Sequence, residues 1–167
     1  MESSRLVREP VALDDPRLRA LAAEEIALRL HGVPEAVARP LVEAQLRSKL
    51  GALAAEHPDA LAELALADGM PVGYLVTAQR EGELRLCDIA VALSARGTGI
   101  GRRLLAAVRE RADAEGRAVT LSVWHDAPAR EWYERHGFTA YGGDPQGHLE
   151  MRRDADAGEY PRIHSVA

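Results

Sequence analysis

The stretch "LRLCDIAVALSARGTGIGRRLLAAVRERADAEG", Leu84 to Gly116, restricts the fold more than any other part of the chain. In its opening run Leu84, Leu86, Asp88 and Ala90 face one way and Arg85, Cys87, Ile89 and Val91 the other, the period of a β-strand. Gly97, Gly99 and Gly101 then crowd into a turn. Beyond them Ile100, Leu104 and Val108 form one apolar stripe, which predicts a helix from about Gly99 to Glu115, ended by Gly116. A strand that runs through glycines into a helix points to an architecture in which strands and helices pack together.

The remaining segments fit that architecture. "RLVREP" is short enough for an edge strand, with Pro10 expected to end it. Asp14 and Asp15 stand where a helix N-cap belongs, before Pro16. Leu18, Ala22, Ile26 and Leu30 recur every four residues, with Leu21 and Leu28 alongside, and Gly32 to Pro34 break that helix. A second helix is expected from Glu35 towards Glu56, interrupted or bent near Pro40, with Leu46, Leu50 and Leu53 inward and Pro58 as its stop. Strands follow from Leu61 to Ala67 and through "VGYLVTAQ", joined by the turn signals Asp68-Gly69 and Glu81-Gly82. "RAVTLSVWH" predicts a strand, "APAREWYERHG" a short helix closed by Gly137, and "FTAYGG…GHLEMRR" a final hairpin. The order argues for a mixed α/β sheet covered by helices.

At 167 residues and 47% hydrophobic content the chain can bury one sizeable core. The 21 basic and 26 acidic residues give −5, so neither nucleic acid nor an anionic membrane is an expected partner. "MESSRLVREP" has no apolar run of the secretory kind, and no segment approaches the roughly 20 apolar residues of a membrane span. The single cysteine, Cys87, makes a reducing cytoplasm the expected location. The six histidines show no metal-ligand spacing, so no metal is expected. "RRDADAGEYPRIHSVA" reads as a solvated tail, flexible from 154 to 167.

A glycine-rich turn before a helix offers outward backbone N–H groups at the positive end of a helix dipole. Each charge placed there gains about 0.3–1 kcal/mol from the dipole, and hydrogen bonds to a charged acceptor add about 1.5–3 kcal/mol apiece. Arg96, Arg102 and Arg103 add local positive charge. No Lys-Ser or Lys-Thr follows the glycines, and their spacing is not G-x-G-x-x-G, so two common nucleotide cradles are excluded. The pattern R-x-x-G-x-G, as Arg96, Gly99 and Gly101, is met. On these residues alone the loop is either a phosphate cradle or a tight connection.

"DIAVALSARGTGIGRRLL", followed downstream by "SVWHDAPAREWYERHGF", resembles the acetyl-CoA-binding core of the GNAT superfamily of N-acetyltransferases, over Leu84 to Phe138 and reaching back to Leu61. The resemblance implies a GNAT-like fold, a central, mostly antiparallel twisted sheet of six to seven strands with helices on both faces. It implies one domain over 1–153, with 1–60 forming the acceptor side and 61–153 the acetyl-CoA core. The pantetheine arm would lie along Ile89, Ala90 and Val91, and the pyrophosphate on the amides of Gly97, Thr98, Gly99, Ile100, Gly101 and Arg102, beside Arg96. Ala129 and Tyr133 would line the coenzyme, and Asp126 would stand in for an asparagine, because Ala127 occupies the first place of the family's "N-P-A" turn. Leu93 replaces a proline frequent after the strand.

Tyr133 matches the family's general acid, a phenol able to protonate a departing thiolate. Its other reading is a core aromatic, on one helical face with Ala129, Trp132 and His136. For the base, Asp88 shares a face with Leu84 and Leu86, and His125 ends a strand with a side chain suited to proton transfer near neutrality. Asp88 reads equally as a structural carboxylate, His125 as a solvated strand end, Glu83 as a surface charge, and water could serve as base. The expected activity is direct acetyl transfer to a small-molecule primary amine. The alternatives are a non-catalytic acyl-CoA sensor and a peptide or protein N-terminal acetyltransferase. An exposed strand such as the C-terminal hairpin is where a homodimer would pair.

Overall fold

The computed structural model describes residues 4–156. Seven strands and four α-helices make a mixed α/β protein with a mostly antiparallel seven-stranded sheet. The part of the expected flexible tail beyond Asp156 lies outside the described residues. No described helix is long and apolar enough to cross a membrane.

The chain packs as two compact units. The first comprises residues up to Gln79 together with Arg85–Ala106. It holds β1 (Leu6–Val11), α1 (Pro16–Arg29), α2 (Glu35–Glu56), β2 (Leu61–Ala67), nearly all of β3 (Met70–Arg80), most of β4 (Glu83–Val91) and the start of α3 (Ile100–Ala114). β1 pairs antiparallel with β2, and β2 with β3. Pro10 does not end β1; it pairs with Glu63 inside the strand. The strand is at the sheet edge, where a missing N–H costs no ladder bond. The β2–β3 turn places Asp68 at φ 49° and Gly69 at φ 78°, the doubly left-handed geometry that suits a two-residue hairpin loop.

Asp15 caps α1, its carboxylate accepting the Arg17 N–H at 2.8 Å. Leu18, Leu21, Ala22 and Ile26 bury one face of that helix against Leu46, Leu50 and Leu53 of α2 and against β2 and β3. Leu28 departs from expectation and is exposed. Pro40 neither interrupts nor ends α2, which runs unbroken. It falls in the second turn on an exposed stretch, where the lost bond disturbs no packed face.

The second unit comprises Arg80–Leu84 and the chain from Ala107 onward. It holds β5 (Ala118–Trp124), α4 (Pro128–Arg135), β6 (Thr139–Gly143) and β7 (His148–Arg153), with β7 paired antiparallel to both β5 and β6. Ala118 to Leu121 are all buried, as are Leu149 and Met151 on β7. Glu83 is not the free surface charge its position suggested. It accepts from the buried Thr120 hydroxyl at 3.1 Å and from Arg152 at 3.0 Å. Arg153 grips Asp113 through two hydrogen bonds of 2.8 and 3.1 Å, and the Asp156 N–H adds a third at 2.9 Å.

Candidate active site

The glycine turn is built by short local bonds. After β4 a single 3₁₀ turn, Leu93–Ala95, closes with Arg96 N–H on the Leu93 carbonyl. The Thr98 hydroxyl donates to the Ala95 carbonyl. Gly97 sits at φ 75° and Gly99 at φ 85°, a region other residues enter only with strain. A Cβ on either would point into open space, with no atom within 4 Å. Backbone conformation, not crowding by the protein, therefore requires these glycines, and the space before them is clear for a ligand.

Helix α3 starts at Ile100, one residue later than expected, and its first turn closes with Arg103 N–H on the Gly99 carbonyl at 3.1 Å. The amides from Gly99 to Arg102 precede that closure and have no intrahelical acceptor. Buried Ile100, Leu104 and Leu105 fix the helix beneath them. Gly101 lies inside the helix without a positive φ. The three arginines differ in their engagement. Arg96 pairs with Glu25 of α1, Arg103 donates to the Ser4 carbonyl at 3.3 Å, and Arg102 is exposed with no partner among the described residues.

The end of β4 is held hard against β3. Ala92 N–H bonds the Val72 carbonyl at 2.8 Å, and a Cβ on Gly73 would meet the Ala90 carbonyl oxygen at 2.6 Å. Ala90 is buried while Ile89 and Val91 are half-buried, the alternation expected of the strand. The Ile89 N–H is already used, donating to Asp88 Oδ1 at 3.0 Å.

Asp88 is heavily engaged. Its Oδ2 accepts from the Tyr74 hydroxyl at 2.7 Å and pairs with Lys49 Nζ at 3.0 Å. Burial first, then the Asp88 carboxylate, pushes the Tyr74 phenol far up, so Tyr74 remains a neutral donor. Lys49 from α2 and Tyr74 from β3 escaped the sequence reading. Only the place of Lys49 between Leu46 and Leu50, on the edge of a buried stripe, hinted at it.

Tyr133 lies buried on α4, its ring edge-on to Trp132 at 5.1 Å and to Phe138 at 5.6 Å. His136 sits on the same face, its ring 4.9 Å from Trp132. Ala127 caps α4 with no side-chain bond, while Asp126 and Ala129 are exposed. His125 is half-buried, stacked at a tilt on Trp124 at 5.4 Å, and its carbonyl accepts from Arg130 at 3.1 Å. Thus the first unit carries Asp88 to Arg102 on one continuous segment, and the second carries His125, Asp126, Ala129 and Tyr133.

A family model described as "Acetyltransferase (GNAT) domain" matches residues 34–148. Among solved structures, the chain is similar to PaiA N-acetyltransferase from Thermoplasma acidophilum, crystallised with coenzyme A. Identity is 16%, coverage 90% of this chain and 99% of that one, and the TM-score 0.68. It is similar to an IAA acetyltransferase from Bacillus cereus at 17% identity, covering 90% and 99%, with TM-score 0.59. These two likenesses are of fold. A nourseothricin acetyltransferase is 31% identical, over 59% of this chain and 67% of that one, with TM-score 0.51.

Proposed function

Because the chain belongs to the GNAT acetyltransferase family, we propose that it passes the acetyl group of acetyl-CoA directly to the primary amine of a small molecule. One observation carries the reading: β4 leads into a turn whose Gly97 and Gly99 hold left-handed conformations over open space, directly before the unclosed amides of α3. Those amides, with Arg102 and Arg96, suit a diphosphate. The Ile89 N–H is taken by Asp88, so Ile89 would offer the pantetheine arm its carbonyl, leaving the Val91 N–H for the thioester end of that arm.

Acetyl-CoA supplies an acyl thioester, and the residues bind it, orient it and manage two protons. The Val91 N–H would donate to the thioester oxygen as charge gathers there, a contact of a kind worth about 3–4 kcal/mol. As the amine nitrogen bonds the acyl carbon and the carbon–sulfur bond breaks, Tyr133 Oη gives its proton to the sulfur. Removing the proton of an alkylammonium at pH 7 costs about 4–5 kcal/mol. Asp88 already receives Tyr74, Lys49 and the Ile89 N–H, which suits it to shaping the pocket. His125 is then the better side chain for the base, with water as its substitute. The small-molecule acceptor draws support from the 31% identity to nourseothricin acetyltransferase. Residues 1–60 would wall the acceptor side and 61–153 hold the coenzyme. Asp126 and Ala129, both exposed on the second unit, would border the pantetheine.

A non-catalytic acyl-CoA sensor is the second reading, favoured by the occupied Asp88 and by the lack of a side-chain hydrogen bond at Ala127, the cap of α4. Coenzyme A release with a panel of amines, including peptide N-termini, tests both. Turnover by the native protein that falls about a hundredfold or more in Tyr133→Phe supports the enzyme and its acid. Tight coenzyme binding without turnover on any amine supports the sensor, and an unimpaired Tyr133→Phe removes the acid role.

A further inference from the structure

Two adjacent acids, Glu24 and Glu25, lie in the C-terminal half of α1. Both reach across to the segment after β4: Glu24 Oε2 accepts the Leu93 N–H at 3.3 Å, and Glu25 Oε2 pairs with Arg96 Nη2 at 2.5 Å. Arg96 directly precedes Gly97, its backbone extended, so turning its side chain disturbs no helix or strand. The pair is partly exposed, at 45% for Arg96 and 33% for Glu25, the setting in which an ion pair yields to a stronger anion.

We propose that Glu25 is a positioning residue that competes with the coenzyme diphosphate for Arg96, so that filling the glycine turn breaks its tie to α1. The inference rests on the turn's taking coenzyme A. A diphosphate brings more charge than one carboxylate and matches the guanidinium fork. Its arrival moves Arg96 from Glu25 to phosphate and leaves the Glu25 carboxylate uncompensated on α1. That carboxylate also acts on the Tyr74 phenol beside Asp88 and Lys49, so its release alters the charge facing this cluster. The tie thus relates coenzyme occupancy to the helix proposed to wall the acceptor side.

Calorimetric titration with coenzyme A at low and moderate salt separates competition from simple bracing. Competition predicts that Glu25→Gln binds coenzyme A about two- to fivefold more tightly than native at low salt, with the gain shrinking as salt rises. Glu25→Asp, which keeps the charge, returns affinity towards native. Arg96→Gln weakens binding about tenfold or more, and adding Glu25→Gln to it brings no gain. A brace predicts the opposite sign, because a loosened loop binds less well. Unchanged or weaker binding by Glu25→Gln, in a protein that melts as native does, overturns the proposal. So does a gain that persists without Arg96. A native protein that binds no coenzyme A removes this proposal and the functional reading together, whereas native binding with an indifferent Glu25→Gln removes only the proposal. Glu25→Ala repeats the test if the glutamine variant is poorly folded.

Discussion

Replacing Gly73 by alanine puts a methyl group into a close contact of β3 with β4. The new Cβ would lie 2.6 Å from the Ala90 carbonyl oxygen and 3.1 Å from Leu104 Cδ1. Leu104 is a side chain and can turn aside, but Ala90 is backbone, tied in place by the neighbouring Ala92 N–H to Val72 carbonyl bond of 2.8 Å. Overpacking of this kind costs about 1–3 kcal/mol. Alanine's lower backbone entropy in the unfolded chain offsets about 0.5–1 kcal/mol of that. Because the nearer obstructing atom is fixed backbone, the cost falls in the upper half of that range, and the net loss is about 1–2.5 kcal/mol, or about 2–10 °C in melting temperature at this chain length. Gly51→Ala supplies the control, since its Cβ meets nothing within 4 Å on exposed α2 and helix propensity alone acts. That variant should gain about 1 kcal/mol. Thermal unfolding of both reads the signs directly. A Gly73→Ala protein that melts at or above native refutes the close approach of the two strands.

Three other outcomes follow from the same geometry. Gly99→Ala should lose about 1–2 kcal/mol, because φ 85° penalises any Cβ although open space receives it, and coenzyme A affinity should fall more steeply than stability. Asp88→Asn should lower stability by about 1–3 kcal/mol in denaturant titration, since Lys49 would then face no carboxylate and Tyr74 a weaker acceptor. The Arg153 hydrogen bonds hold the Asp113 carboxyl below the ordinary carboxylate range. A lowered folded-state value means that its stabilisation is complete above the unfolded value near 3.9 and disappears as pH falls through the folded value. Asp113→Asn should therefore flatten the acid limb of the stability profile below about pH 4, and an unchanged limb would contradict that assignment.

What could be read from the sequence was local. Alternation in Leu84 to Val91, the Asp15-Pro16 cap, Asp68-Gly69 and the four-residue spacing from Leu18 to Ile26 each act through near neighbours, and each produced the expected element. The family's glycine turn was legible for the same reason. Errors arose where tertiary context decides. Pro10 sits inside β1 because that strand is an edge, and Leu28 is exposed although it extends the apolar pattern. Glu83 carries Thr120 and Arg152, whose positions no local period encodes. The Glu25–Arg96 and Lys49–Asp88 pairs join residues far apart in the chain, so only the fold reveals them.

Everything proposed for this chain depends on the turn from Arg96 to Arg102 holding a coenzyme diphosphate on backbone amides. Calorimetric titration of the native protein with coenzyme A tests it most directly, with Gly99→Asp in parallel. The native chain should bind saturably, and binding should be lost when a carboxylate is set at Gly99. Absence of heat from a folded native protein, or equal binding by the two, would contradict it.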